Sequence, residues 1–477
     1  MSNISSLSKN MNAILLSAIW GVLMMFSGVF IKSKTTPKYL AVAGILVLFI
    51  ANALELNVFN TGSLHFNIDT KEMLNINSFN LTFIAVVLAC TLLFFLLNGR
   101  DVEKVGEHVG EYFALMFFVI CGVCLAATYN TLLLLFLGIE IMSIPLYILT
   151  GSDKRNLKSN EASLKYFLMG AFSTGIMLMG IAFIYGGNPN GSFFINNIQM
   201  GEGTMPVMIA VGMVFMIIAL SFKVSAAPFH FWTPDVYDGA PTVFTSFMST
   251  IVKVAGFFAF VRLFENSFGK VQSQWQNLIV LITVFTLLIG NITAVFQQSV
   301  KRMLAYSSIA QAGFMMLAVF ALNDRAKEGL LLYTAAYSIA TIGVFAVLIK
   351  MNDYTIEGFN GLGKTHSLLA LCTTVFLLSL TGIPLTAGFQ SKFFMLMAAA
   401  ENTGKFWLVI VAVIFAAISA YYYFRVIQAM YFKEPGVEVI DDKEITGSFK
   451  IMLAIAAILI IAIGIYPELV VGWMYHQ

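Results

Sequence analysis

Charged residues are scarce in this sequence, and that scarcity decides the class of protein. Only 11% of the 477 residues are Asp, Glu, Lys or Arg, whereas 59% are hydrophobic. An ordinary soluble domain carries about 25% charged residues. The formal net charge is only +2, so no overall field favours nucleic acid or an acidic substrate. The composition therefore indicates an integral membrane protein without a nucleic-acid partner.

Cysteine and histidine are also rare, with four and five residues. Cys121 and Cys124 have the CxxC spacing of redox pairs and metal half-sites, but they fall in a hydrophobic run and share one helical face. Cys90 and Cys372 stand alone in other runs, so no second pair completes a site for zinc or iron–sulfur. The histidines do not pair at haem or metal spacing. We therefore expect no metal, redox centre or cofactor bound by this chain.

Long loops are missing as well, which argues against a built-in nucleotide-binding or substrate-recognition module. Gly358–Thr365 matches the P-loop expression G-x-x-x-x-G-K-[ST]. A working P-loop lies between a buried strand and a soluble helix, whereas membrane helices precede and follow this segment. We interpret it as a glycine-rich turn. The energy for any transport must then come from an ion gradient or from a partner.

Long hydrophobic runs are abundant. A helix that crosses the hydrocarbon needs about 20 apolar residues, because every backbone amide must find its partner within its own segment. We therefore predict an all-α fold with about fourteen transmembrane helices, the first of which lacks a convincing signal-peptide cleavage site. The predicted spans are Ala13–Ile31, Tyr39–Leu56, Phe79–Leu97, Tyr112–Tyr129, Thr131–Thr150, Ser163–Tyr185, Met205–Ala227, Pro241–Phe264, Leu278–Phe296, Met303–Leu322, Leu330–Ile349, Leu368–Ala400, Phe406–Met430 and Ile451–Trp473.

The basic residues of the loops predict the orientation. An even number of spans puts both termini on one side of the membrane. Most loop Lys and Arg residues, Lys301 and Lys350 among them, fall on the opposite side, and such loops tend to stay in the cytoplasm. We therefore expect both termini to face away from the cytoplasm. Arg262 and Arg425 lie near helix ends and are expected to snorkel to the interface.

A few ionisable residues lie within the predicted spans. Each such charge at a helix centre costs about 2.5–3.5 kcal/mol on insertion scales, so these residues are candidates for function. They are Glu140 in the fifth span, Lys165 in the sixth, Lys223 in the seventh, Lys253 in the eighth and Lys392 in the twelfth.

The balance of these charges favours a proton path. The predicted spans contain four lysines but only one deep carboxylate, Glu140, and one shallower carboxylate, Glu161. They cannot all stay charged at low cost, because desolvation and mutual repulsion disfavour the charged form, and a lysine near neutrality can carry a proton. The alternative for Glu140 is a structural ion pair that fixes helix packing. The alternative for Lys165 is a helix-end pair with Glu161, four residues earlier.

Two prolines predict broken helices. Pro228 follows Lys223, and Pro384 precedes Lys392; since proline donates no backbone N–H, the helix should break and free its carbonyls. Interrupted helices in corresponding positions are typical of inverted-repeat transporters. Because each block would contain five spans, an odd number, the second block would cross the membrane in the opposite orientation to the first. The predicted divisions are N-terminal helices 1–3 in 1–110, a first five-helix repeat (helices 4–8) in 111–265, a second (helices 9–13) in 276–432, and a C-terminal loop and helix 14 in 433–477.

Four segments resemble the antiporter-like membrane subunits of respiratory complex I. Together they form a specific match that runs from about the third span to the thirteenth. One departure is Asp238, where the family more often has Glu, and Lys392 stands where the M type of the family usually has Glu. The segments are Gly138–Tyr147, Glu161–Leu168, Ala227–Thr242 and Gln298–Gly313.

The resemblance implies a subunit of a proton-translocating enzyme in the cytoplasmic (inner) membrane of a bacterium, with both termini on the periplasmic side. It implies neighbours of the K, M, L and J types, and lipids. NADH, FMN, iron–sulfur clusters and quinone would belong to other subunits. Two alternatives stay open: a D-type subunit of a multi-subunit sodium/proton antiporter, and a structural spacer that no longer pumps.

The resemblance also implies residue roles. Glu140 is then the gating acid, Lys223 its partner beside the break at Pro228, Lys253 the central relay, and Lys392 the terminal lysine beside the break at Pro384. Lys165 and His230 are weaker members of the same hydrated chain. Polar residues that could hold ordered water between them are Tyr306, Ser307, Ser308, Tyr333, Tyr337 and Thr341.

Overall fold

A computed structural model describes residues 12–31, 33–56, 71–199, 205–435, 440 and 444–475. Within these ranges the chain is helical apart from turns, loops and isolated β-bridges such as Leu74–Tyr129. The predicted all-α fold is therefore confirmed for the described residues. Both termini, with His65 and His476, lie outside them, so the side of the membrane on which the chain begins and ends stays a prediction.

Nineteen α-helices are found in the described residues. In chain order they are α1 (Asn12–Phe30), α2 (Thr36–Glu55), α3 (Ser78–Asn98), α4 (Val109–Thr128), α5 (Leu132–Thr150), α6 (Leu157–Gly187), α7 (Val207–Lys223), α8 (Trp232–Gly239), α9 (Thr242–Phe247), α10 (Lys253–Leu263), α11 (Gln272–Val295), α12 (Val300–Ala321), α13 (Asp324–Leu348), α14 (Leu362–Thr365), α15 (Ser367–Thr381), α16 (Ala387–Ala400), α17 (Trp407–Phe432), α18 (Gly447–Ile465) and α19 (Glu468–Val471).

Eleven helical stretches of the described chain are long and apolar enough to cross a membrane, against the fourteen predicted runs. Two differences lie at the predicted breaks: α7 ends at Lys223, inside the seventh predicted span, and the twelfth is divided, so α7 and α15 are each too short alone. The third arises because the eighth and ninth predicted spans belong to one helical stretch of 54 residues, Thr242–Val295. The exact number of crossings and the inverted repeats stay predictions.

The helices differ in how much of their surface is buried. The most apolar 18-residue window is 100% buried in α13 and 94% buried in α12, but only 33% buried in α1 and α17. Nearly all polar residues within these windows of α12 and α13 therefore lie inside the protein and not against lipid. The P-loop-like segment Gly358–Thr365 forms a 3₁₀ turn and the short α14, and no strand precedes it in the described residues, so its interpretation as a turn is confirmed.

The prediction that Arg262 snorkels to the interface is wrong. Its side chain is buried and donates hydrogen bonds to the carbonyls of Ala127 at 3.2 Å, Tyr129 at 2.9 Å and Asn75 at 3.3 Å. The last carbonyls of a helix have no partner within the helix, and a guanidinium with five N–H donors can satisfy several of them. Arg262 therefore caps the end of α4.

Small residues bring α4 close to α5, the helix that carries Glu140. A Cβ atom added to Gly122 would lie 2.6 Å from the backbone nitrogen of Met142 and 2.7 Å from the carbonyl oxygen of Gly138. Membrane helices commonly use small residues for such close approach, because lipid supplies no hydrophobic drive for their association.

Replacing Gly122 by alanine should therefore lower the free energy of unfolding by about 1–3 kcal/mol, the usual cost of overpacking. Gly175 on α6 is the matched control, because a Cβ there would meet nothing within 4 Å and alanine raises helix stability by roughly 0.5–1 kcal/mol. Thermal unfolding of both purified variants in detergent measures the difference. Equal midpoints for the two variants would contradict the close packing of α4 on α5.

Candidate functional site

The first predicted break is confirmed. α7 ends at Lys223, α8 begins at Trp232, and Pro228 lies in the irregular stretch between them. The carbonyl of Phe222, freed by the break, accepts a hydrogen bond from Nε1 of Trp232 at 3.0 Å. Irregular backbone at membrane depth is tolerated only where its polar groups are satisfied or line a cavity, so the break is a built part of the fold.

The second predicted break is confirmed as well. α15 ends at Thr381, α16 begins at Ala387, and Pro384 lies between them. Nζ of Lys392, which is buried, donates to the carbonyls of Leu380 and Thr381, both at 2.8 Å. The C-terminus of a helix carries partial negative charge, so the broken half-helix stabilises the ammonium form of this lysine, which has no ion pair with a carboxylate of the described residues.

Glu140 and Lys223 are brought to the same region but do not form an ion pair in the described residues. Oε1 of Glu140 accepts a hydrogen bond from the Thr174 hydroxyl at 2.7 Å. Nζ of Lys223 donates to the hydroxyl of Ser143 at 2.9 Å, and Ser143 lies one turn after Glu140 on α5. Each charge therefore has its own hydroxyl partner, and a direct Glu140–Lys223 contact would require a rearrangement.

Lys253 is the most completely buried of the candidate lysines, with 1% of its surface exposed. It directly follows a π-helical segment, Met248–Val252, a distortion often found at functional sites. Its Nζ donates to the hydroxyl of Ser308 at 2.8 Å and to the Ser308 carbonyl at 3.0 Å. No carboxylate among the described residues forms an ion pair with it, so its partners are neutral.

Polar side chains that connect Lys253 to Lys392 lie on α12 and α13. The Tyr337 hydroxyl lies beside Ser308, and Tyr337 and Lys392 both line one small cavity of about 10 Å³. Gln311 also lines it, and its Nε2 donates at 2.9 Å to the Leu380 carbonyl that Lys392 uses. Sequence reasoning missed Gln311, although an amide in the middle of an apolar span is itself a signal.

Lys165 does not join the buried lysines. Its side chain is 41% exposed and pairs with Glu161 at 2.7 Å and with Asp235 at 3.0 Å, so the helix-end pair given above as the alternative is present. His230 is buried in the break between α7 and α8, next to the backbone of Pro228. The roles of both residues in a relay stay predictions.

Two lysines counted as loop residues from the sequence are buried, which corrects their assignment. Nζ of Lys301 donates to the carbonyls of Asp238 at 2.9 Å and Ala240 at 2.7 Å, at the end of α8. Lys350 forms a buried ion pair of 2.6 Å with Asp101. In the described part of the chain, no three His, Cys, Asp or Glu side chains come together as metal ligands.

Comparison with known proteins identifies the family. Residues 130–419 match the family model described as "NADH:quinone oxidoreductase/Mrp antiporter, TM". The chain is 38% identical over 463 residues to NADH-quinone oxidoreductase subunit N of Cytophaga hutchinsonii, which covers 96% of this chain and 98% of the relative.

Two solved structures share the fold over nearly the whole chain. A chain of respiratory complex I from Thermus thermophilus with bound aureothin has a TM-score of 0.81 and 29% identity, and covers 98% of this chain and 100% of its own. A chain of the membrane-bound sulfane sulfur reductase, an archaeal respiratory complex, has a TM-score of 0.84 and 28% identity, with coverages of 97% and 96%. The predicted resemblance is therefore confirmed, and the chain belongs to the family of NADH:quinone oxidoreductase/Mrp antiporter membrane subunits.

Proposed function

We propose that this chain is a membrane-arm subunit of NADH:quinone oxidoreductase that passes protons through Glu140, Lys223, Lys253 and Lys392. The observation that carries the proposal is the setting of the three lysines, which are held by hydroxyls and carbonyls with no carboxylate in ion-pair contact among the described residues. Arg262 shows that carbonyls alone can hold a fixed buried cation, but a buried lysine held in the same way can also give up its proton, because desolvation disfavours its charged form. A group that gains and loses a proton needs neutral partners that suit both states.

The arrangement supports a stepwise route. Glu140 would draw the Lys223 ammonium toward α5 and release its proton when the two groups separate. Ser308 and Tyr337 lie between Lys253 and the small cavity beside Lys392, so a proton would cross that interval through hydroxyls and water. At Lys392 the half-helix carbonyls favour the protonated form until the proton is released outward.

The larger architecture is part of the same proposal. We infer fourteen crossings, two inverted five-helix repeats at 111–265 and 276–432, and termini on the periplasmic side of a bacterial cytoplasmic membrane. The energy would come from quinone reduction in neighbouring subunits, which would hold the NADH, FMN and iron–sulfur sites. K-, M-, L- and J-type subunits would be the neighbours, and this chain would have no redox site of its own.

Replacement of Glu140 by glutamine tests the proposed function. The amide keeps the size of the side chain and can still accept from Thr174, but it cannot take up negative charge to attract Lys223. We expect fewer protons pumped per electron when the assembled complex is measured in sealed vesicles.

Glu161→Gln is the control for Glu140→Gln, because Glu161 is an exposed helix-end residue, and this variant should pump normally. An unchanged number of protons pumped per electron in Glu140→Gln would instead support the alternative that this chain is a structural spacer that does not pump. Identification of the co-purifying subunits separates this complex from a sodium/proton antiporter: NADH- and quinone-binding chains support the proposal, and antiporter subunits alone would refute it.

A further inference from the structure

Tyr147 is a buried residue of α5 that no step of the proposed route uses. It lies one turn after Ser143, on the same face of the helix. Its hydroxyl lies beside the Ser143 hydroxyl and within electrostatic reach of Glu140. Since Ser143 is the hydrogen-bond partner of Lys223, Tyr147 lies next to the groups that hold these two charges apart.

The Ser143 hydroxyl connects Tyr147 to Lys223. A serine hydroxyl has one hydrogen to donate and two lone pairs that accept. Its hydrogen is donated to the Ile139 carbonyl at 2.5 Å, four residues earlier on α5. One lone pair accepts from Nζ of Lys223 at 2.9 Å, and the other faces the neighbouring Tyr147 hydroxyl. These three neighbours fix the orientation of Ser143, and with it the place where Lys223 is held.

The Tyr147 hydroxyl is seated over Gly170 on α6. A Cβ atom added to Gly170 would overlap with this hydroxyl oxygen, so the absence of a side chain at Gly170 leaves the room that Tyr147 needs. Thr174, one turn later on α6, contacts Glu140 at 2.7 Å and the Gly170 carbonyl at 3.0 Å through its hydroxyl. A single turn of α6 therefore positions both Glu140 and the hydroxyl beside Ser143.

Aromatic packing also connects Tyr147 to the break after α7. Its ring meets the ring of Tyr166 edge-on with centroids 4.7 Å apart, and Tyr166 stacks on Trp232 at the same distance. Nε1 of Trp232 donates to the carbonyl of Phe222, which directly precedes Lys223. Aromatic side chains have only two side-chain torsions and pack in preferred geometries, so this series of rings holds the Tyr147 hydroxyl in one place relative to Lys223.

We propose that Tyr147 is a positioning residue of the relay: its hydroxyl, seated over Gly170, fixes the orientation of Ser143 and so keeps the Lys223 ammonium separated from Glu140. The inference rests on the proposed function, because this separation matters only if Lys223 passes a proton on. Without the hydroxyl, Ser143 would hold Lys223 less firmly, and the strong attraction of opposite charges in a low-dielectric interior would draw Lys223 into contact with Glu140. The proton of Lys223 would then be released less often.

Removal of the hydroxyl tests the inference. Tyr147→Phe keeps the ring and its packing, and the loss of one hydrogen-bonding group typically shifts an equilibrium by about fivefold. We expect the number of protons pumped per electron by the assembled complex in vesicles to fall toward the value found for Glu140→Gln. Ser143→Ala should lower this number as well. Adding Tyr147→Phe to Ser143→Ala should lower it no further, because Tyr147 acts through Ser143; an additive loss would refute the inference, since it would indicate a packing effect.

Gly170→Ala is a second, independent variant. It keeps the Tyr147 hydroxyl but displaces it from Ser143, so its pumping should fall as in Tyr147→Phe. Combining Gly170→Ala with Tyr147→Phe removes the overlap, which should restore the thermal unfolding midpoint in detergent but not the pumping. Recovery of pumping in this combined variant would show that only the overlap mattered, and would refute the positioning role.

Tyr129→Phe is the matched control. Tyr129 is equally buried, just before the start of α5, and its hydroxyl donates to the Ala259 carbonyl at 2.8 Å, so this variant should pump normally. If Tyr147→Phe pumps normally while Glu140→Gln does not, the role of Tyr147 is refuted and the proposed function stands. If Glu140→Gln pumps normally, the proposed function itself fails. An equal loss in Tyr129→Phe and Tyr147→Phe would also refute the inference.

Discussion

Replacing Lys253 by methionine should abolish proton transfer through this chain and leave the fold at least as stable. The ammonium group is buried, and its contacts are Ser308 and the ring face of Tyr237, whose centroid lies 5.9 Å away. A charge in the membrane interior costs about 2.5–3.5 kcal/mol on insertion scales, and methionine fills a similar volume without that cost. A residue that lowers the stability of the fold but is required for transport is expected at a functional site.

An arginine at the same position separates charge from proton exchange. Lys253→Arg keeps a positive charge, but a guanidinium does not release its proton in proteins, so pumping should also be lost. Protons pumped per electron in vesicles and thermal unfolding in detergent are the two measurements. Normal pumping in the arginine variant would mean that Lys253 supplies only a fixed charge, and the relay through it would be wrong.

The second large effect is expected at the buried pair of Asp101 and Lys350. Replacing Lys350 by alanine leaves the Asp101 carboxylate buried, and among the described residues its remaining ion pair is with the half-exposed Lys104 at 3.1 Å. Removing one partner of a buried ion pair typically costs about 3–5 kcal/mol, because the other charge stays without compensation. This pair joins the connection after α3 to the end of α13, so its loss should loosen the N-terminal helices from the second half of the chain.

Two variants control this prediction. Lys350→Met combined with Asp101→Asn removes both charges and should recover most of the lost stability, because apolar or neutral replacements of a buried pair are often tolerated. Lys364→Ala breaks an exposed pair with Glu434 and should cost less than about 1 kcal/mol. Unfolding midpoints in detergent compare all three. An effect of Lys350→Ala no larger than that of Lys364→Ala would contradict a structural role for the buried pair.

Much of the fold could be predicted because it depends on strong local signals. Apolar runs of membrane length predicted the helices, and Pro228 and Pro384 predicted the two breaks, since a proline acts through its own missing N–H wherever it occurs. Glu140, Lys223, Lys253 and Lys392 stood out because a charge in an apolar run is costly in any fold. Their roles as a relay came only from the family resemblance.

The surroundings of these residues could not be predicted. Lys301 and Lys350 were assigned to loops by their position between runs, but both are buried where other segments of the chain fold over them. Lys165 was assigned to a span, yet it lies in an exposed cluster with Asp235, seventy residues away in the sequence. Gln311 gained its role only when α12 packed against the second break.

The sequence by itself determined that the chain is helical, where two helices break, and which charges interrupt the apolar runs. Only the tertiary structure decided which helix surfaces face protein and which face lipid. The physical reason is that lipid and protein interior are both apolar, so a membrane helix lacks the polar face that orients a helix in water. The partners of Lys253 and Lys392 are carbonyls and a hydroxyl of other helices. Such groups occur throughout any sequence, so only the packing of the helices decides which of them meet a given lysine.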